Sequence, residues 1–175
     1  MSDIIATDAD IDPEIRLHLV EPFIAAATTA LSEMAGAEAI VRNVRQQTNP
    51  PELNDITAVV EITATTTHGF LVLSFPKPTA AALAARILAG TAQKPDDNLI
   101  RDCVGEMTNV IAGQAKAMLA GGLYQFTFSI PKVLAGPSDF QPPQCPNCLV
   151  ISFRSDQGEF ALQLLRPVEA ASNRQ

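Results

Sequence analysis

Alternation of apolar and polar residues is strongest in the middle of the chain, where it predicts a β-hairpin. Apolar side chains occupy every second position from Ile56 to Ala64, with Thr or Glu at most positions between them. A second apolar run, Phe70 to Phe75, follows a turn expected at His68-Gly69. Successive side chains of a strand point to opposite faces, so this period of two predicts a pair of strands with one buried face.

Weaker versions of the same pattern predict four further strands. Glu38 to Gln47 alternates weakly and ends in an Asn-Pro-Pro loop, as expected for a partly exposed strand. The remaining predicted strands are Tyr124 to Ile130, Leu149 to Phe153 and Phe160 to Leu165, the last two joined by a turn at residues 155–158.

The first helix is predicted from an apolar run that is flanked by residues typical of the beginning and the end of a helix. Phe23 to Met34 lies between Pro22, which suits a first helical turn, and Gly36, which suits a C-cap. Residues Glu14 to Val20 could extend this helix with a kink at the proline or form a separate turn. The pattern leaves both possibilities open.

Two more helices follow the hairpin, and the resulting order indicates an α+β fold. Ala80 to Leu88 is rich in Ala and Leu and is followed by Gly90, while a longer helix should start at Pro95-Asp96-Asp97 and run to Gly121-Gly122. Helix, three strands, two helices and three strands suggest a pseudo-repeat of one helix and three strands. We predict long helices packed on a largely antiparallel sheet.

Length and composition predict one domain. The chain has 175 residues, 47% of them hydrophobic and 18% charged, so it folds by burying apolar surface. We place the domain at residues 13–167, with a polar flexible N-terminus at 1–12 and a flexible C-terminus at 168–175.

Charge and hydropathy exclude several classes of partner. The net charge is −7 and aromatic residues make up 5%, so a nucleic acid would be repelled and would find few rings to stack on. No apolar segment is long enough to cross a membrane, and the N-terminus lacks the basic start of a secretion signal. We expect a cytoplasmic protein.

The cysteines leave several interpretations open. Cys145 and Cys148 have CxxC spacing, which suits a redox pair, half of a zinc site or, more simply, two residues of a proline-rich loop. Zinc needs four ligands, and His18 and His68 lie far away in the sequence. Cys103 is predicted to be a small core residue. His68 is predicted to be an exposed turn residue, and His18 to be exposed or packed.

The long helix carries a narrow polar stripe. Asp102, Glu106, Asn109, Gly113 and Lys116 fall within about 40° of one line along its surface. The opposite face carries Ile100, Cys103, Val104, Met107, Ile111 and Met118. An ordinary amphipathic helix would show the same division.

Two details of the stripe favour a functional surface. Gly113 lies in mid-helix, where it costs about 1 kcal/mol relative to Ala, so close approach of another backbone is expected there. Glu106 and Asn109 project together from adjacent turns. A carboxylate can pair with a partner's lysine, and a carboxamide can hold a water in line with a phosphorus atom. This pair therefore suits phosphoryl transfer by positioning. Such a reaction needs no nucleophile of this chain's own if the substrate is a reactive acyl phosphate, and no metal if the substrate protein brings its Mg²⁺.

The residues from Gly105 to Gly113 resemble the Glu-x-x-Asn-x-x-x-Gly motif of the CheX-type chemotaxis phosphatases in the CheC/CheX/FliY superfamily. The similarity extends over residues 20–166. It includes the helix start at Pro22-Phe23-Ile24, the strand end at Leu73-Ser74-Phe75-Pro76, the Ala-rich helix with Gly90, and Ser129-Ile130-Pro131. These phosphatases remove the aspartyl phosphate of CheY-like response regulators.

The resemblance implies roles for the stripe. Asn109 would orient the attacking water, Glu106 would pair with the regulator's lysine, and Asp102 and Gly113 would lie in the partner-binding surface. The chain would need no cofactor of its own, since Mg²⁺ would come with the phosphorylated partner. The partner would be a CheY-like receiver domain, and the chain itself would form a homodimer.

CheC-type relatives carry a second copy of the motif on the first helix. At the matching place this chain has His18 and Glu21, which are not the required pair. We therefore predict one site per chain. Two other functions remain: a scaffold that binds receivers without hydrolysis, as in flagellar-switch relatives, and a redox sensor at Cys145 and Cys148. The sequence names neither the receiver nor its pathway.

Overall fold

The computed structural model describes residues 5–6, 11–64, 68–136, 139–142, 145 and 147–166. Its helices are α1 (Pro13–Ile15), a π-helical turn (Arg16–Val20), α2 (Glu21–Ala35), α3 (Lys77–Ile87) and α4 (Asp97–Leu119). Its strands are β1 (Ile5–Ala6), β2 (Ala39–Gln47), β3 (Ile56–Thr63), β4 (His68–Phe75), β5 (Thr127–Phe128), β6 (Lys132–Val133), β7 (Asn147–Ser155) and β8 (Gly158–Arg166).

The eight strands form one antiparallel sheet in the order β1-β2-β7-β8-β4-β3-β5, with β6 also paired to β3. The hairpins β3–β4 and β7–β8 meet at the centre through β4 and β8. The first strand of each half joins the hairpin of the other half: β2 pairs with β7, and β5 and β6 pair with β3. This exchange supports the predicted pseudo-repeat and confirms an α+β fold.

The sheet has two different faces. One face packs against α2, α3 and α4 and forms the main core, with alternate strand residues such as Leu71, Leu73 and Ile151 buried in it. The opposite face carries a smaller cluster that contains no helix residue: Val59, Val72, Leu134, Cys145, Cys148 and Leu165. The long helices thus cover only one side of the sheet.

The first helix runs without a break from Pro13 to Ala35. Residues Glu14 to Val20, for which the sequence allowed either an extension of this helix or a separate turn, therefore extend it. The π-helical turn lies directly before Pro22, whose ring would otherwise clash with the carbonyl one turn earlier. Gly36 ends α2 in the left-handed conformation, with φ 57°, as the sequence predicts.

The strand predicted at Tyr124–Ile130 is shorter in the structure. Only Thr127–Phe128 pairs with β3, and pairing resumes at Lys132–Val133. Pro131 has no N–H to donate and interrupts this edge of the sheet. Between the two pieces, the backbone N–H of Glu61 bonds to the Ser129 hydroxyl.

The turn predicted at His68-Gly69 is also different, because both residues belong to β4. A Cβ on Gly69 would lie 2.3 Å from the backbone oxygen of Leu165, so the glycine is needed for the approach of β8. The connecting residues 65–67 lie outside the described part of the chain.

Some described residues before residue 13 contact the rest of the structure. Ile5–Ala6 pairs with the end of β2, the Ile11 side chain is buried, and Asp12 caps α1 by accepting the N–H of Glu14. They add a strand to an edge of the sheet and an apolar side chain to the core. The rest of the predicted flexible termini, residues 1–4, 7–10 and 167–175, lie outside the described residues.

Candidate functional site

Helix α4 carries the candidate site and is anchored along its buried face. The Asp96 carboxylate caps its first turn, accepting the N–H of Leu99 at 2.8 Å. Asp97 pairs with Lys77 of α3 at 3.1 Å. Nine residues of the helix are buried: Ile100, Cys103, Val104, Met107, Thr108, Ile111, Ala112, Ala115 and Leu119. The amphipathic prediction is therefore confirmed.

The opposite face of α4 brings the predicted site residues together. Asp102, Glu106, Asn109, Gly113 and Lys116 are all exposed, so the stripe lies in solvent along about four turns. Met118, assigned to the apolar face, is 47% exposed. It lies in the last turn of the helix, and its side chain is only partly covered.

The stripe side chains make no hydrogen bond or ion pair with any other described residue. Other polar residues of the same helix do have partners: Thr108 donates to the Val104 carbonyl at 2.7 Å, and Gln114 donates to Glu33 of α2 at 3.1 Å. The carboxylate of Glu106 and the amide of Asn109 are therefore available to an incoming molecule.

Neighbouring elements fix the position of α4. Arg101 donates to the carbonyl of Ala135 at 3.1 Å, which holds the segment after β6 against the start of the helix. Gly105 lies against β6, since a Cβ there would be 3.1 Å from Val133 Cγ2. The sequence did not indicate this role for Gly105, because the contact depends on the position of β6.

Gly113 differs from Gly105 in its surroundings. A Cβ built on Gly113 meets no atom within 4 Å, so no contact within the described part of this chain requires a glycine there. The absence of a side chain leaves the surface of the helix flat beside Asn109. Such a surface lets a second backbone come close.

The other candidates lie away from the stripe. His18 is partly exposed and 3.5 Å from Glu14, and His68 packs edge-on against Phe70. Cys103 is buried, and burial together with the nearby Asp102 carboxylate raises the pKa of its thiol. Glu21 pairs with Arg16 at 2.8 Å. None of these residues joins Glu106 and Asn109.

The described residues contain neither a metal-binding cluster nor a membrane-spanning helix. No three His, Cys, Asp or Glu side chains within the described ranges come close enough together to hold a metal ion. Among the helices of those ranges, none has the length and apolar character needed to cross a membrane.

Comparison with known proteins identifies the family. A profile described as "Chemotaxis phosphatase CheX" matches residues 56–154, more than half of the chain. The chemotaxis protein CheX of Desulfovibrio desulfuricans superposes with a TM-score of 0.70 at 30% identity, over 84% of this chain and 97% of its own.

Two structures with lower sequence identity to this chain share its fold. CheX of Vibrio vulnificus has a TM-score of 0.71 at 23% identity, with coverage of 84% of this chain and 97% of its own. The CheX–CheY–BeF3–Mg complex of Borrelia burgdorferi matches with a TM-score of 0.64 at 18% identity, over 85% and 97%. No curated protein sequence matches the chain. On the profile match and the 30% identical relative, this chain belongs to the CheX family of chemotaxis phosphatases.

Proposed function

We propose that this protein is a phosphatase that hydrolyses the aspartyl phosphate of a CheY-like receiver domain. The observation that carries the proposal is the pair Glu106 and Asn109 on the anchored helix α4, which is exposed and has no partner among the residues that the structure describes. Membership of the CheX family supports the reaction class. A CheX protein has also been crystallised with CheY, BeF3 and Mg, which supports a receiver as partner.

Asn109 is the residue that positions water. An acyl phosphate is already reactive, so hydrolysis needs a water aligned opposite the bond from phosphorus to the leaving oxygen. The amide of Asn109 offers one acceptor and two donors on a rigid plane. Its oxygen accepts a hydrogen bond from the water while its NH₂ group faces the phosphoryl oxygens. The water adds to phosphorus, the aspartate carboxylate leaves, and inorganic phosphate is released.

Glu106 and its neighbours dock the receiver. The Glu106 carboxylate, one turn before Asn109, pairs with a lysine beside the phosphorylated aspartate. Asp102 extends the acidic surface by a further turn, and Gly113 leaves room for the receiver backbone. The chain adds no metal of its own to this proposal, because Mg²⁺ bound by the receiver neutralises the phosphoryl oxygens.

The test measures the lifetime of phosphate on receivers from the same genome. Each receiver is phosphorylated with a small phosphodonor in Mg²⁺ and followed alone, with the wild-type protein, or with Asn109→Ala. Wild type should shorten the lifetime of one receiver, and Asn109→Ala should accelerate decay roughly 10²-fold less, because the water loses its orienting group. If wild type and Asn109→Ala accelerated the decay of the phosphate equally, the mechanism would be contradicted.

Binding measurements separate docking from chemistry. Asn109→Ala should bind the BeF3-loaded receiver nearly as tightly as wild type. Glu106→Gln removes the charge and should weaken binding roughly 10- to 100-fold. Lys116→Gln is the matched control, since it changes a charge near the far end of the same stripe. Binding without any change in phosphate lifetime would favour a receiver-binding scaffold.

We also propose that the protein is a homodimer, as the resemblance implies. Among the residues that the structure describes, β1 pairs only with Gln46 and Gln47 at the end of β2, and Ile40 near the start of β2 is 63% exposed. An uncovered strand edge with an exposed apolar side chain is a surface that a second copy can pair with. Sedimentation equilibrium at several protein concentrations measures the mass directly, and a monomer throughout would contradict the proposal.

A further inference from the structure

Cys145 and Cys148 lie together on the face of the sheet opposite α2, α3 and α4. Both side chains belong to the small cluster on that face, with 1% and 0% exposure respectively. Cys148 is in β7, in register with Gln47 and Leu165, whereas Cys145 precedes the strand. The phosphatase proposal does not use either thiol, since α4 lies on the opposite face.

The sulfur of Cys145 is held at the end of β8. It accepts the backbone N–H of Arg166 at 3.1 Å and donates its S–H to the carbonyl of the same residue at 2.9 Å. The S–H of Cys148 is directed at the backbone carbonyl of Cys145, with 3.8 Å between sulfur and oxygen. Thus the backbone N–H of Arg166 faces the sulfur of Cys145, and the side chain of Cys148 lies beside the same residue.

We propose that Cys145 and Cys148 form a reversible dithiol–disulfide couple, in which Cys145 is the attacking thiol and Cys148 the resolving thiol. Three observations carry this assignment: Cys148 Sγ lies 3.8 Å from the carbonyl oxygen of Cys145 in the same buried cluster, an N–H donor faces the sulfur of Cys145, and the two residues are anchored differently. Disulfide formation is compatible with CxxC spacing, which is also that of thiol–disulfide oxidoreductases.

The acidity of the two thiols agrees with this division of roles. The pKa of Cys145 is lowered to about 7. The interaction with the Cys148 side chain is the largest cause, burial opposes it, and the N–H groups of Asn147 and Arg166 and the charge of Arg166 also lower the pKa. The interaction with Cys145 and burial raise the pKa of Cys148. A substantial fraction of Cys145 is therefore thiolate at neutral pH, which is the nucleophilic form.

Access to Cys145 requires local opening, because its side chain is covered. The residue lies outside the strand and belongs to the small cluster, not to the main core. Its release breaks the two hydrogen bonds with Arg166 and leaves the pairing of β7 with β2 intact. Openings of this size occur without global unfolding.

The oxidant is a small disulfide such as glutathione disulfide. The Cys145 thiolate attacks one sulfur of it, a mixed disulfide forms, and one glutathione thiolate leaves. Cys148 then loses its proton and attacks the Cys145 sulfur, which expels the second glutathione. In total, two protein thiols and one glutathione disulfide give one protein disulfide and two glutathione molecules.

The test uses the full chain with glutathione disulfide and reads the products by mass spectrometry and thiol counting. Wild type should become lighter by two hydrogens and keep one of its three thiols, that of Cys103. Cys148→Ser should stop at the mixed disulfide on Cys145. Cys145→Ser should remain unmodified at Cys148. Peptide mapping of wild type at short times provides the same assignment without a variant.

The pH dependence of the modification rate distinguishes Cys145 in its folded environment from a thiol with an ordinary pKa. In Cys148→Ser, whose hydroxyl can still donate, the rate of modification should be half-maximal near the pKa of about 7. In Cys148→Ala the midpoint should move toward the ordinary value of 9.0. Three remaining thiols in treated wild type would overturn the couple. Equal rates for Cys145→Ser and Cys148→Ser would overturn the assignment of the attacking thiol.

Discussion

Glu106 and Asn109 contribute little to the stability of the fold. Both are exposed and have no hydrogen-bond partner within the described chain, whereas Met107 and Thr108 between them are buried. Surface substitutions without partners usually change the free energy of unfolding by less than about 0.5 kcal/mol. A loss of activity in variants of these two residues therefore reports on chemistry or docking and not on folding.

Gly113 should show opposite effects on stability and function. Gly113→Ala is expected to raise the free energy of unfolding by about 0.5 to 1 kcal/mol, because alanine is the better helix residue and its Cβ meets no atom. The same methyl group stands where the receiver backbone should approach, so affinity for the BeF3-loaded receiver should fall. Urea denaturation and a binding titration measure the two effects, and unchanged affinity in Gly113→Leu as well would remove the close-approach role.

Helix α4 is the element that holds the two side chains of the candidate site in place. Its first turn is capped by Asp96 and tied to α3, and Gln114 ties its middle to α2. A helix held at these points presents residues at i and i+3 with a fixed separation. Positioning catalysis depends on such rigidity, since small misplacements are costly.

The cap at Asp96 can be tested with a matched pair of variants. Asp96→Ala should lower the free energy of unfolding by about 1 kcal/mol, because the N–H of Leu99 loses its acceptor. Asp96→Asn keeps an acceptor oxygen and should stay close to wild type. Thermal and urea unfolding of the three proteins give the comparison. A loss of the same size in both variants would assign the effect to charge instead of the cap.

The whole molecule depends on the exchange of strands between its two halves. The hairpins β3–β4 and β7–β8 join at β4 and β8, and each half supplies an outer strand to the other. Neither half can complete its part of the sheet alone. The backbones approach closely at Gly69, beside the carbonyl of Leu165.

Gly69→Ala should therefore destabilise the protein, in contrast to Gly113→Ala. Its Cβ would lie 2.3 Å from a backbone oxygen of the central strand β8, which cannot move without shifting the sheet. We expect the free energy of unfolding to fall by about 1 to 3 kcal/mol, the usual range for overpacking. Urea denaturation at an unchanged m-value measures this. A neutral effect would mean that β4 and β8 can separate locally.

The sequence by itself determined the local elements and the composition of the site. The period-two alternation in β3, the proline and glycine flanking α2, and the capping aspartate of α4 act through neighbours in the chain, so they can be read without a structure. The stripe of α4 follows from the same helical geometry. The roles proposed for its residues come from the motif, and the structure adds that the stripe is exposed and has no partner in the described part of the chain.

The tertiary structure alone decided how distant segments meet. It placed β2 beside β7 and β6 beside β3, and it made Gly105 and Gly69 sites of close packing. It also brought Cys145 to Arg166, a contact that CxxC spacing does not contain. Such contacts join residues far apart in sequence, and they depend on which strands pair across the whole sheet and not on any local pattern.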